Sequence, residues 1–252
     1  MKRIYSAVMS LLMLVSVFSL SACSSSGDDE NGNSNYPSPI NKRLYKVTKS
    51  TSEGLKMTEY IYDSQGRITQ LIEFFSNENQ GHVVNSYVYD NNSITKTYLY
   101  SKDISWQNIY TLESGRVVKA YDSDTKVTTM FNYDNGYLTK EAESEGREYN
   151  YIWSDGNLME VYNGNRKLLT YEYTDITAPQ GFFPMGHNVD LYWGMSSYLG
   201  KTSKFLPSKY TEGQGGLIEF EWTVKDGLPI KMIENIKEAP TKGIRIFTFE
   251  WK

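Results

Sequence analysis

The sequence predicts a mostly β fold: an antiparallel meander of repeated hairpins, curled into a barrel-like or strongly bent open sheet. A glycine-containing turn unit recurs about every twenty residues, which is the spacing of one hairpin. The stretches between turns are six to nine residues long and rich in Tyr, Thr, Val and Ile, as β-strands are. We expect about fourteen strands, and a sheet of that size curls rather than staying flat.

The turn unit has a large apolar residue three positions before Gly and another two positions after it. In its clearest copies the glycines are Gly115, Gly136 and Gly156, with looser copies at 60–68 and 224–228 and a copy without Gly at 87–90. Asx-Gly pairs favour type I′ hairpin turns because both central residues take positive φ. Three pairs meet this description: Asn135–Gly136, Asp155–Gly156 and Asn163–Gly164.

One segment interrupts the meander. The stretch 178–184 contains two prolines, and Asn188 after it is a candidate N-cap for one short helix near 188–200, with Gly200 at its C-terminal end. We expect this helix to cover one end or one face of the curled sheet.

The N-terminus has the layout of a signal peptide over residues 1–22. Lys2 and Arg3 precede a mostly apolar run, and the sequence at 20–23 resembles the lipobox of bacterial lipoproteins, which makes Cys23 the lipidated first residue of the mature chain. The resemblance implies two or three acyl chains and thus a firm membrane anchor. The alternative, an uncleaved transmembrane helix, is disfavoured because the run is short and carries four serines.

Residues 23–40 predict a disordered tether, because they are rich in Ser, Asn, Gly and acidic residues. The acidic cluster Asp28, Asp29 and Glu30 has two interpretations. It resembles the export signal that sends Bacteroidetes lipoproteins to the outer face of the outer membrane, or it is a solvated linker. The expected location is therefore the outer membrane, with surface exposure left open, and residues 41–252 form a single repeat-built β domain.

Charge and composition exclude several classes of function. Removal of Lys2 and Arg3 leaves 24 basic side chains against 30 acidic ones, a net charge of −6, which disfavours nucleic acid as a partner. Cys23 is the only cysteine, and the two histidines, His82 and His187, have no metal-ligand spacing. We therefore predict no cofactor, no metal and no catalytic residue.

Aromatic residues alternate along most strands, so that two or three rings point to one face of each strand and form a continuous surface. This surface is either the core or, in part, a groove for a sugar chain or an apolar ligand. The candidate ligand-binding residues are the rings of the most aromatic strands: Tyr149, Tyr151, Trp153, Tyr171 and Tyr173.

Two resemblances follow from these motifs. The unit at 60–68 is similar to the tyrosine-aspartate repeats of large bacterial surface proteins. The mature chain resembles a family of uncharacterised Bacteroides lipoproteins with a porin-like domain, through the lipobox, the repeats and the stretches at 188–191, 203–207 and 247–251. The resemblance implies a porin-like β fold; it brings no activity and no site residue.

The predicted function is a non-enzymatic binding or structural role at the end of a lipid anchor, with a glycan as one candidate ligand. A carrier of lipid-like molecules would need an apolar cavity. A carboxylate-dependent hydrolase would need a cleft holding convergent carboxylates with perturbed pKa values. A membrane-spanning porin would need an apolar lipid-facing band, whereas Glu, Lys and Asn recur on both faces of the strands. The oligomeric state is left open.

Overall fold

The computed structural model describes residues 42–76, 82–100, 104–179, 181–182, 196–213, 215–238 and 243–252. Within these residues the chain forms sixteen antiparallel strands, each paired with its neighbours in sequence, and β1 pairs with β16 to close a barrel. The predicted β meander is thus confirmed, and it is a closed barrel. The strands are β1 Leu44–Thr51, β2 Gly54–Tyr62, β3 Ile68–Phe75, β4 His82–Asp90, β5 Ser93–Tyr100, β6 Ile104–Glu113, β7 Arg116–Asp122, β8 Thr128–Asp134, β9 Tyr137–Glu143, β10 Glu148–Ser154, β11 Asn157–Asn163, β12 Arg166–Thr177, β13 Phe205–Glu212, β14 Leu217–Lys225, β15 Leu228–Glu238 and β16 Gly243–Trp251.

The two ends of the barrel differ. We call one the cap end: it carries the turns of the sequence repeats, such as 135–136 and 155–156, and the long β12–β13 connection at 178–204. The other, the pocket end, carries the β7–β8 turn at 123–127 and the β9–β10 turn at 144–147. At the cap end the backbones of Arg43 and Lys252 exchange two hydrogen bonds, which complete the closure.

The repeat turns have the predicted backbone. Asn135 and Gly136 have φ of 50° and 85°, and Asp155 and Gly156 have 51° and 80°, as type I′ turns require. The assignment of Asn163–Gly164 to the same turn type was wrong. Only Gly164 of that pair has positive φ, and it occupies the first central position of the loop between β11 and β12, where type II′ turns place glycine.

The sequence repeats encode a set of hydrogen bonds at the cap end, which we call the aromatic latches. In each latch an inward Tyr hydroxyl or Trp indole N–H donates to a backbone carbonyl at the start of a neighbouring strand. A buried Tyr or Trp needs such a partner, and a strand end has carbonyls outside the regular ladder. The latches are Tyr62 to Leu44 (2.6 Å), Tyr89 to Ile68 (2.7 Å), Tyr133 to Val117 (2.6 Å), Trp153 to Leu138 (2.7 Å), Tyr173 to Leu158 (2.5 Å), Trp222 to Pro207 (2.7 Å) and Trp251 to Pro229 (2.7 Å).

The β12–β13 connection packs over the latches. The buried ring of Phe182 lies 5.1 Å from the ring of Phe249, edge to face, and Tyr198 lies 6.2 Å from Tyr89 on another part of the rim. The amide of Lys201 donates to the carbonyl of Gly136. The prediction that this segment covers one end of the sheet is confirmed for its described part.

The predicted helix over 188–200 lies mostly outside the described residues, and its last turn is a 3₁₀ helix, Ser196–Leu199. Gly200 follows it with a φ of 88°, in the left-handed conformation expected after a helix end. A Cβ at this position would lie 2.4 Å from the carbonyl oxygen of Gly136, so only glycine permits this close approach.

The outer face of the barrel carries charged pairs between neighbouring strands. Examples are Lys140 with Glu148 (2.7 Å), Lys209 with Glu172 (2.9 Å) and Lys237 with Glu219 (3.3 Å). A lipid-facing band of a transmembrane barrel is apolar, because a charge there costs several kcal/mol. The outer face of this barrel carries both kinds of side chain, since large apolar residues such as Val88, Met130 and Ile152 are also exposed on it.

In the part of the chain that the structure describes, no helix has both the length and the apolar character needed to cross a membrane.

Candidate functional site: a polar pocket at one end of the barrel

The inner surface of strands β6 to β10 contains a pocket of about 260 Å³ at the pocket end of the barrel. Its rim is formed by the β7–β8 and β9–β10 turns, from which Thr125 and Arg147 contribute. The full lining consists of Asn108, Tyr110, Ala120, Asp122, Thr125, Val127, Thr129, Glu141, Glu143, Arg147 and Tyr149. Drug-sized ligands occupy pockets of roughly 300–1,000 Å³, so this one suits a smaller molecule.

The strand register explains why a pocket forms here. Tyr110, Ala120, Thr129 and Glu143 lie in one row across four neighbouring strands, and side chains that face each other in register share a face of the sheet. Most inward positions elsewhere carry large aromatic or aliphatic side chains. The two short side chains in the middle of this row, Ala120 and Thr129, leave the space that becomes the pocket.

Glu141 supplies a carboxyl group of raised pKa at the inner wall. It is 2% exposed, and its pKa is raised to about 7, mainly because burial disfavours the charged form; the nearby charge of Glu143 acts in the same direction. The hydroxyl of Tyr151 donates to Glu141 Oε1 at 2.8 Å, which opposes the shift without cancelling it. Below about pH 7 the carboxyl is therefore a hydrogen-bond donor as well as an acceptor.

Asp122 lies at the mouth of the pocket and has the opposite character. Burial raises its pKa, but hydrogen bonds outweigh burial and leave the pKa below its usual value. The donors are the amides of Thr125 (2.9 Å) and Asp124 (2.8 Å) and the side-chain amide of Asn108 (2.9 Å). The carboxylate is thus ionised at neutral pH and accepts hydrogen bonds only.

Asn108 has an acceptor without a partner. Its side chain is 6% exposed, and Nδ2 donates to Asp122, whereas Oδ1 is buried and has no hydrogen-bond partner among the described residues. Buried polar atoms are nearly always hydrogen-bonded, so this oxygen is available to accept a hydrogen bond from a molecule bound in the pocket.

The remaining charges at the pocket form an ion pair on the rim. Arg147 Nε lies 2.7 Å from Glu143 Oε2, and the exposed guanidinium also lies 3.6 Å from Glu145 through Nη2. Because the guanidinium is exposed to solvent, which screens its charge, these pairs contribute only about 0–1 kcal/mol to stability. Their effect here is to offset part of the negative charge at the entrance.

The five predicted ligand-binding rings all face the interior of the barrel. Tyr149 lines the pocket, and Tyr151 holds Glu141 behind it. Tyr171 is buried, and Trp153 and Tyr173 serve as latches at the cap end. The aromatic surface is therefore the core of the barrel, and only Tyr149 of this set borders the pocket.

The sequence prediction missed Asn108, Asp122 and Glu141. A signal for Asn108 was present: it alternates with Trp106 and Tyr110, so it is a polar residue in the inward phase of an aromatic strand. The sequence around Glu141 does not indicate that its side chain points inward. The ladder between β8 and β9 shifts register at 132–133, and this shift interrupts the regular alternation of inward and outward residues.

His82 does not line the pocket. His82 is exposed on β4, with its ring 6.3 Å from that of Phe74, and His187 lies outside the described residues. Within the described ranges, no cluster of three or more His, Cys, Asp or Glu side chains has the geometry of a metal site.

The fold defines a class of closed antiparallel barrels, here with a polar pocket at one end, and solved structures share the architecture. The chain is similar to a porin-like protein from Bacteroides vulgatus ATCC 8482, with a TM-score of 0.57 and 14% sequence identity over 84% of this chain and 99% of that one. The porin-like fold implied by the sequence resemblance is thus confirmed, and identity this low shows the fold alone. No protein-family model matches the chain, and no curated protein matches it.

Proposed function

We propose that this chain is a lipid-anchored outer-membrane protein whose barrel binds a sugar unit of a short glycan in the pocket, without chemical conversion. The observation that carries the proposal is that one small pocket holds a buried carboxyl group of raised pKa, an unpartnered amide oxygen and an ionised carboxylate. Glu141 provides the donor, and Asn108 Oδ1 and the Asp122 carboxylate provide the acceptors.

This combination fits a polyhydroxylated ligand. A sugar hydroxyl both donates and accepts, so it engages donors and acceptors that face the same space. The rings of Tyr110 and Tyr149 add apolar walls against which the C–H groups of a sugar pack. An apolar ligand would leave Asn108 Oδ1 without a hydrogen bond and would place apolar groups against the Asp122 carboxylate, which disfavours a lipid carrier.

Hydrolysis of a glycosidic bond is a second candidate, and one observation favours it. Burial raises the pKa of Glu141 to about 7, while hydrogen bonds lower that of Asp122, and pKa values moved apart in this way mark acid and base roles in glycosidases. The two candidates are separated by incubating the protein with an oligosaccharide that it binds and measuring the formation of new reducing ends. Our proposal predicts that no new reducing ends form, whereas hydrolysis would produce them.

The test of binding uses a calorimetric titration of neutral mono- and disaccharides into the full-length protein. We expect Asn108→Ala to weaken the affinity for a bound sugar by about 10- to 100-fold, because it removes the unpartnered acceptor and frees the Asp122 carboxylate. Asn132→Ala is the matched control, since Asn132 is exposed on the outer face of β8. Equal affinity of the two variants would place the sugar elsewhere, and failure of every neutral sugar to bind the wild type would refute the proposal.

The anchor requires its own test. Replacing Cys23 by Ala removes the thiol that would take the lipid, so we expect the variant to be unlipidated and released from membranes, as judged by mass spectrometry and fractionation. Membrane retention of the variant with an unchanged N-terminus would contradict lipid anchoring.

A further inference from the structure

A second polar cluster lies at the pocket end of the barrel, on the wall formed by β15, β16 and β1 to β3. The register places Met232, Phe247, Lys49, Lys56 and Phe75 in one row across these strands. Met232 is 2% exposed and part of the core, so the whole row faces inward. Two lysines therefore sit side by side on the inner surface of the barrel.

The cluster consists of the cations Lys49, Lys56 and Arg245 with the carboxylates Glu73 and Glu234. Two of these three cations have acidic partners. Lys56 Nζ lies 2.8 Å from Glu73 Oε1, and Arg245 Nη1 lies 3.1 Å from Oε2 of Glu234, which is itself buried. The carboxylates of Glu73 and Glu234 are therefore already engaged in ion pairs.

Lys49 has no such partner. Among the described residues no carboxylate lies within 4 Å of its ammonium group, which is 5.5 Å from the centre of the Phe247 ring. Its direct neighbour across the ladder is Lys56, and like charges in that position destabilise a sheet. Burial lowers the pKa of Lys49, and Arg245 and Lys56 lower it further, against the opposing effects of Glu234 and Glu53. The fold thus keeps a half-buried ammonium group beside two other cations, without an ion-pair partner of its own among the described residues.

We propose that Lys49, with Lys56 and Arg245 beside it, is a binding site for an anionic group, either a carboxylate or a sulfate or phosphate ester. An anion here would relieve the repulsion among the three cations and replace the water lost by Lys49 on burial. Lysine and arginine together suit such a group, the lysine as a point charge and the arginine as a planar donor.

The site and the pocket of β6 to β10 open at the same end of the barrel. Where the proposed function holds, the anionic group belongs to an acidic glycan that carries an uncharged sugar unit into the pocket. The anion site itself does not depend on that function, because a free inorganic anion would satisfy the same cations.

The variant for the test is Lys49→Met, which keeps the length of the side chain and removes its charge. Lys46→Met is the matched control on the same strand, because Lys46 faces outward and lies 3.6 Å from Glu250. Removal of an uncompensated charge relieves repulsion, so the melting temperature of Lys49→Met should equal or exceed that of the wild type.

Full-length wild type and both variants are titrated with sodium sulfate, sodium phosphate, an oligogalacturonate and the corresponding neutral oligogalactoside. We expect the wild type and Lys46→Met to bind the oligogalacturonate at least about tenfold more tightly than the neutral compound, since only the acidic compound forms a charge-assisted hydrogen bond with Lys49. Lys49→Met should lose this preference.

Each other outcome has a distinct meaning. Binding of sulfate or phosphate that Lys49→Met abolishes, without a preference for the acidic oligosaccharide, supports the anion site with a free anion as its ligand. If the wild type binds sulfate or phosphate through Lys49 but binds no neutral sugar, the proposed glycan function is overturned and the anion site is still supported. Equal binding of every anion by the wild type and Lys49→Met overturns the anion site.

Discussion

Replacing Trp153 by Ala is expected to lower the free energy of unfolding by about 3–5 kcal/mol, as truncation of large core side chains does. The Trp153 ring packs against the core cluster and lies 4.5 Å from the ring of Tyr137. Its indole N–H donates to the carbonyl of Leu138, so truncation removes a latch as well as apolar contacts. Chemical denaturation of the purified protein measures the loss.

Two further variants make this result specific. Trp153→Phe keeps one aromatic ring and loses the latch together with part of the apolar contacts of the indole, so it should cost less than Trp153→Ala, about 1–2 kcal/mol. Ile152→Ala is the control on the outer face of the same strand, where Ile152 is 47% exposed, and it should cost far less than Trp153→Ala. A small loss for Trp153→Ala together with loss of sugar binding would instead favour the groove interpretation of the aromatic surface.

Replacing Glu141 by Gln is expected to remove a pH dependence from the stability of the barrel. Burial raises the pKa of the folded-state carboxyl to about 7 from an ordinary value of 4.5. A group with a raised folded-state pKa contributes stability that is complete below its unfolded pKa and lost as pH rises toward its folded pKa. The wild type should therefore lose about 3 kcal/mol between pH 4.5 and pH 7 through this group.

The glutamine variant keeps the acceptor for Tyr151 and has no charge to bury. It should match the wild type near pH 4 and exceed its stability by about 3 kcal/mol at pH 8. Glu172→Gln is the control, because Glu172 forms only an exposed pair with Lys209, worth under about 1 kcal/mol. Parallel stability curves for the wild type and Glu141→Gln from pH 4 to pH 8 would show that Glu141 is not buried as a neutral acid.

Much of the fold was predictable because its determinants are local. The Asx-Gly pairs at 135–136 and 155–156 fix type I′ turns by backbone geometry alone, and the twenty-residue period follows from two strands and two turns. The aromatic residue before each turn was visible as part of a repeat, although its role was not. A latch reaches from the end of one strand to the start of the preceding strand, 15 residues away in the case of Trp153 and Leu138, so it is recognised only when the two strands are placed side by side.

The pocket was not predictable for two physical reasons. Its space comes from Ala120 and Thr129, whose small size matters only because the register aligns them between Tyr110 and Glu143. Register shifts between β6 and β7 and between β8 and β9 also change which residues of a strand point inward. The orientation of Glu141 therefore does not follow from the simple alternation of side chains along a strand.

The most direct test of the central claim is to locate a bound sugar on the barrel by NMR with isotope-labelled tyrosine. Tyr110 and Tyr149 line the pocket, whereas Tyr173 is a latch at the cap end and Tyr162 lies on the outer face. On titration with a sugar that binds in calorimetry, the ring signals of Tyr110 and Tyr149 should shift with the calorimetric affinity while those of Tyr162 and Tyr173 stay in place. Shifts confined to Tyr162 or Tyr173 would contradict the assignment of the pocket as the binding site.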